Sequence, residues 1–225
     1  MFRRLPGRLS ALLTVASLTL IQACGAASPA VTLPPPATDV PAAAGRGMQT
    51  AVFAGGCFWG VEAVFRHTKG VGRAVSGYAG GAAPLANYTA VSTGATGHAE
   101  SVEVTFDPAQ VSYGQLLRIF FSVAHDPTEL NLQGPDVGTQ YRSAIFAIGD
   151  EQKRVARAYV EQLDKARAFK RPIVTEVVAL PAFYPAEDYH QNYLALHPNE
   201  PYIVINDVPK VAALKRDFPD LYIGK

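Results

Sequence analysis

The chain has 225 residues, 48% of them hydrophobic, with 20 Lys and Arg against 19 Asp and Glu and a formal net charge of +1. That is the make-up of an ordinary globular protein, long enough for one domain with a substantial core. A near-zero charge without any Lys/Arg run excludes the electrostatic footprint of a nucleic-acid binder, so a small or peptidic partner is expected.

The first 24 residues read as a targeting segment. "MFRRLPGRLS" is basic and "ALLTVASLTLIQAC" is apolar, the n- and h-regions of a secretory signal, and the run from Ala11 to Ala23 is too short for a comfortable membrane span. "IQAC" resembles the lipobox of bacterial lipoproteins, which would make Cys24 a lipidated N-terminus and tether the protein to a membrane. The alternative is cleavage near Ala27, which discards Cys24. On either path Cys24 is not a free thiol, and an exported protein of the bacterial periplasm or cell envelope is expected. Residues 25–47, rich in Pro and Ala, show no periodicity and read as an extended linker. The folded domain is expected over residues 48–225.

"QTAVFAGG" predicts a strand ending in glycines. "CFWGVEAVFRHTKG" follows with Phe58, Val61, Glu62 and Phe65 at near-helical spacing, stopping at Gly70. "VGRAVSGYAGG" and "AESVEVTFDP" are the next strands, the latter with Val102, Val104 and Phe106 on one face. Ser112 and Gln115 form a capping box ahead of an apolar stripe of Leu116, Leu117, Phe120 and Phe121. "YRSAIFAI" is a strand. An Asp-capped helix with Val155, Tyr159 and Leu163 inward comes next, and then the strand "PIVTEVVAL". This β-α-β-β-α-β-α-β order predicts an α+β two-layer sandwich with a ferredoxin-like split β-α-β core and a mixed sheet. From Pro181 the chain reads as a long irregular wrap with a short helix around Glu187 to Leu196.

Cys57 falls where a strand turns into a helix, so helix N–H groups and the positive dipole end are expected to favour its thiolate. Gly55 and Gly56 suit the tight turn. A buried structural cysteine is the competing reading, but it requires neither the glycines nor Phe58-Trp59. Alternation along "ESVEVTF" places Glu100 on the apolar face, where desolvation would keep it protonated near neutral pH; a solvated strand end is the open alternative. Two long Gly-rich loops bring Tyr88 and Tyr141 as hydrogen-bond donors and Asp136 as a residue that orients a donor or holds the loop; for each taken singly, a surface turn residue is the competing reading.

Other motifs fail on their own terms. "HAE" at His98 to Glu100 lacks the P-C-x-x-C of a zinc deaminase, and "GVGRAV" has Val75 where a dinucleotide glycine should stand. Neither a metal nor a nucleotide is implied. A Cys-His hydrolase using Cys57 with His98 or His190 stays open, as does a lipid-anchored binding protein in which Cys57 is inert.

"GCFWG", "SGYAGG", "TGHAESVEVTFDP", "QGPDVGTQYRS" and "AEDYHQNYL" together resemble the A-type peptide methionine sulfoxide reductases, from about Gln49 to Tyr222. The resemblance implies Cys57 as nucleophile, Glu100 as acid, Tyr88 and Tyr141 around the sulfoxide oxygen, and Asp136 as the acidic loop residue. It implies Phe58 and Trp59 as the apolar pocket for the substrate methyl. It further implies reduction of methionine-S-sulfoxide in proteins or peptides through a Cys57 sulfenic acid, without metal, flavin or nucleotide. Many family members carry a C-terminal recycling cysteine. Here none follows Cys57, so the expected reductant is an external thiol, either a thioredoxin-fold protein or a small molecule. A monomer is expected.

Overall fold

The computed structural model describes Met1 and residues 33–41 and 47–224. Residues 2–32, which hold most of the expected targeting segment and Cys24, lie outside the described residues. Strand β1 (Gln49–Gly55) leads into helix α1 (Phe58–Arg66) and strand β2 (Val71–Ala79). A loop carrying the short helix α2 (Tyr88–Val91) reaches β3 (Ala99–Phe106), followed by helix α3 (Tyr113–Ile119), which runs on into a π-helical turn, Phe120–Ala124. A two-residue-per-strand hairpin, β4 (Leu132–Gln133) and β5 (Asp136–Val137), precedes β6 (Ser143–Ala147), α4 (Gly149–Lys165), β7 (Glu176–Ala179) and β8 (Phe183–Pro185). The chain closes with α5 (Tyr193–Leu196), a second π-helical turn, Ile203–Asp207, and α6 (Val208–Asp217).

The main sheet has the order β7-β6-β1-β3-β2-β8. Its four central strands, taken in chain order, stand 4-1-3-2 and are antiparallel throughout, which is the split β-α-β plan. The parallel pairing of β7 with β6 makes the sheet mixed, and β8 adds an antiparallel edge to β2. Strand alternation divides the faces. Ala51 and Phe53 of β1 join Val102, Val104 and Phe106 of β3 in the large core under α1, α3 and α4, while Val52 and Ala54 join Ala99, Ala144 and Phe146 on the opposite face. Phe53 stacks on both Phe65 and Phe120, at 5.0 and 5.1 Å between ring centroids, tying β1 to the helical layer on each side.

The capping box of α3 is present, with the Ser112 hydroxyl accepting from the Gln115 N–H. Helix α4 differs from expectation. Asp150 lies in its first turn and Ile148 is the cap residue, its N–H donating to Gln152 Oε1 at 3.0 Å. Gly149, at φ +80°, turns the chain into the helix, so the start is set by backbone freedom and a glutamine in place of an acidic cap. The C-terminal wrap is more regular than its sequence implies, because α6 adds ten helical residues that bury Leu214.

Residues 33–41, within the stretch that reads as linker, lie along α3 and α4. Leu33 is 1% exposed. Arg118 Nε donates to the Leu33 carbonyl, the Tyr159 hydroxyl to Pro34 and Gln162 Nε2 to Pro35, while Gln162 Oε1 accepts from the Ala37 N–H. Asp39 accepts from the Ser112 hydroxyl and the Gly114 N–H at the start of α3. A polyproline stretch leaves its carbonyls free, and here three side chains of the domain take them up. Among the described residues, no helix is long and apolar enough to cross a membrane.

Candidate active site

Cys57 is the cap residue of α1, at the end of β1. Gly56 ahead of it has φ +87°, and a Cβ there would stand 2.4 Å from the Gln133 side chain, so both backbone and space require glycine. Cys57 is only 7% exposed, and the expectation of a stabilised thiolate is corrected by its surroundings. Burial pushes the thiol well above its ordinary value, and Glu100 and Asp207 push the same way. The Trp59 N–H and Lys210 oppose them without prevailing. The helix start does act on this sulfur, but desolvation outweighs it, and the resting group is a thiol.

Glu100 sits on the core face of β3 and is 3% exposed, so the solvated alternative does not hold. Burial raises its carboxyl to about 8; the Phe58 N–H, donating to Glu100 Oε2 at 3.1 Å, works against this rise and Asp136 adds to it. An acid near 8 is largely protonated at neutral pH.

Cys57, Phe58, Trp59, Tyr88, Glu100, Asp136 and Tyr141 line a single cavity of about 290 Å³, together with Glu200 and Tyr202. The seven side chains that the family resemblance assigns to the site therefore meet at one place. Tyr88 comes from α2, Asp136 from β5 and Tyr141 from the 3-10 turn Thr139–Tyr141. Both tyrosines titrate above the usual phenol range, chiefly through burial and then through Glu100, and so stay protonated donors.

The C-terminal wrap supplies what the sequence pattern did not mark. Tyr202 donates its hydroxyl to Asp136 Oδ2. Trp59 Nε1 donates to His190 Nδ1 at 3.2 Å, and the indole stacks on Tyr193 at 3.8 Å between ring centroids. Glu187 accepts from the Tyr78 hydroxyl and the Tyr88 N–H, fixing the start of α2. Buried Glu62 accepts from the Asn192 N–H and the Ser76 hydroxyl, and Gln191 bonds both the N–H and the carbonyl of Ser76. Of these, Glu62 carries an early signal as a carboxylate in an apolar helix stripe, and His190 is marked in the sequence only as a candidate base, a role different from the one it has.

The histidines of the hydrolase alternative are otherwise engaged. His98 Nδ1 accepts from the Gly81 N–H and its Nε2 faces the Ala82 carbonyl, while His190 Nδ1 is taken by Trp59. Neither base is bonded to Cys57. Among the described residues no group of three or more His, Cys, Asp or Glu is placed to hold a metal ion.

Residues 49–221 match the family described as peptide methionine sulfoxide reductase. The chain is 62% identical over 182 residues to "Peptide methionine sulfoxide reductase MsrA 2" of Mesorhizobium japonicum, covering 81% of this chain and 93% of that one. Among solved structures it is similar to methionine sulfoxide reductase A of Corynebacterium diphtheriae, with a TM-score of 0.59 and 39% identity over 68% of this chain and 77% of that one. It is also similar to reduced Mxr1 of Saccharomyces cerevisiae, with a TM-score of 0.62 and 33% identity over 68% and 87% of the two chains. With a match over most of its length and a cavity built around Cys57 and Glu100, the chain belongs to the peptide methionine sulfoxide reductase family, and its activity is the reduction of methionine sulfoxide to methionine.

Proposed function

We propose that Cys57 is the nucleophile and Glu100 the acid of this reduction. The observation that carries the assignment is their shared cavity, in which the Phe58 N–H ties the carboxyl to the residue next to the thiol. A sulfoxide sulfur accepts a thiolate only as its oxygen is protonated or hydrogen-bonded. As the Cys57 sulfur bonds to the sulfoxide sulfur, the oxygen takes the Glu100 proton, with Tyr88 and Tyr141 donating to it. The S–O bond then breaks, the hydroxyl oxygen bonds to the Cys57 sulfur, and the sulfur–sulfur bond formed on attack breaks with its electron pair staying on the methionine sulfur. The products are methionine and a Cys57 sulfenic acid, and the proton shed by the thiol returns to Glu100. Phe58 and Trp59 form the apolar wall for the substrate methyl, and Asp136 holds the Tyr202 hydroxyl beside it. The expected epimer is the S-sulfoxide in a peptide.

No cysteine follows Cys57, so an external thiol resolves the sulfenic acid, from a thioredoxin-fold protein or a small molecule. The basic and apolar leader supports export to the cell envelope, with Cys24 as the lipid anchor; the mass of the mature N-terminus tests this. For the chemistry, dithiothreitol-driven reduction of a methionine sulfoxide peptide should be steady in the native enzyme and absent in Cys57→Ser. Mass spectrometry after one turnover without reductant should find a single oxygen added at Cys57. Activity surviving Cys57→Ser would overturn the assignment.

A further inference from the structure

Two charges next to α1, one buried and one part-buried, take no part in the mechanism above. Asp207, in the second π-helical turn, is fully buried, and Lys210, in the first turn of α6, donates from Nζ to Asp207 Oδ1 at 3.0 Å with its side chain 18% exposed. Both charged ends lie against Gly60, three residues beyond Cys57 in α1. A Cβ on Gly60 would stand 2.1 Å from Asp207 Oδ1 and 2.7 Å from Lys210 Nζ. Neither side chain lines the substrate cavity. The second carboxyl oxygen, Oδ2, is buried without a partner.

Stability alone is a poor reason for this arrangement. Desolvating two charges commonly costs as much as their attraction returns, and an oxygen without a hydrogen bond adds to the deficit. Gly60 also carries a cost in helix propensity relative to alanine, offset here by the room it leaves for the pair. What the pair touches is the first turn of the helix that Cys57 caps.

We propose that Asp207 and Lys210 are positioning residues for the nucleophile, a charge pair packed on Gly60 that sets the field at the first turn of α1, the turn Cys57 caps. The fields acting on this sulfur agree in sign, Asp207 raising and Lys210 lowering its titration. The other groups facing it are Glu100 from β3, Asp136 from β5, Tyr88 from α2, Tyr141 from the 3-10 turn, and Tyr193, Glu200 and Tyr202 from the C-terminal wrap. His125, which also feels Lys210, is pushed down to about 3, chiefly by burial, and stays neutral. Among the described residues, Lys210 is thus the cation set among carboxyls and phenols.

The inference rests on Cys57 being the nucleophile, but its test reads the thiol directly. Alkylation of Cys57 by iodoacetamide is followed against pH in the full-length enzyme, in Lys210→Gln and in Asp207→Asn. The glutamine can still bond Asp207, and the asparagine can still accept from Lys210. Lys210→Gln should move the alkylation midpoint up by about one pH unit, slowing alkylation about tenfold below it, and Asp207→Asn should move it down. Lys210→Arg should restore the native midpoint. The opposite signs mark an effect of charge, since lost packing would shift both variants the same way or neither. Shifts in one direction, or none, would overturn the proposal. If one variant fails to fold, the sign of the shift in the other decides. Peptide reduction surviving in Cys57→Ser while the two shifts hold would overturn the catalytic assignment and leave the charge effect standing, so the two readings fail separately.

Discussion

The main-chain N–H of Phe58 donates to Glu100 Oε2 across 3.1 Å, so the residue following Cys57 holds the buried carboxyl that faces it. Forty-two positions separate the two in sequence, and one hydrogen bond sets where the acid stands relative to the thiol.

Glu100→Gln keeps a hydrogen-bond donor but removes the transferable proton. Peptide reduction should fall by roughly two to four orders of magnitude, the usual scale for a general acid, with little change in KM. A steady-state assay with dithiothreitol checks it.

The same carboxyl makes stability pH-dependent in a definite direction. Its folded value, about 8, lies above the ordinary 4.5, so the folded state binds the proton more tightly. The stability it contributes is full below about 4.5 and is lost as pH rises through about 8. Denaturant unfolding from pH 4.5 to 8.5 should show a decline in the native enzyme that is smaller in Glu100→Gln. Equal slopes would mean that Glu100 is ionised at rest.

Tyr202→Phe deletes the hydroxyl that donates to Asp136. Hydrogen bonds to charged groups are worth about 1.5–3 kcal/mol, so kcat/KM should fall by roughly ten- to a hundredfold if the pair orients the substrate. Substrate titration separates a KM effect from a kcat effect.

Trp59→Phe removes the indole N–H bonded to His190 and part of the stack on Tyr193. Aromatic pairs contribute about 0.5–1.5 kcal/mol, so KM should rise up to roughly tenfold while kcat changes less.

Leu33→Ala tests the docked N-terminal segment. A leucine that is 1% exposed should cost about 2–5 kcal/mol when truncated, whereas in a free linker it would cost nothing. Chemical denaturation should show the loss, with kcat for a sulfoxide peptide unchanged.

Local patterns in the chain carried the central strands, the α3 capping box, the inward residues of α4 and the placement of Cys57 and Glu100. Each depends on period, cap or turn within a few residues. Alternation alone put Glu100 on the face shared with Val102 and Val104, and burial followed. Tertiary structure decided the rest, because the physics was non-local. The Cys57 thiol is raised by burial and by carboxyls brought in from β3 and the C-terminal wrap, which outweigh the helix start beside it. The wrap carries little periodicity; Glu62, Glu187 and Gln191 each hold it through two or more hydrogen bonds to residues distant in sequence. Tyr202 and His190 acquire their tasks from partners 66 and 131 positions away. Likewise, the Pro-rich stretch contains nothing that marks it as docked; the side chains that capture its carbonyls belong to α3 and α4, and only folding brings them within reach.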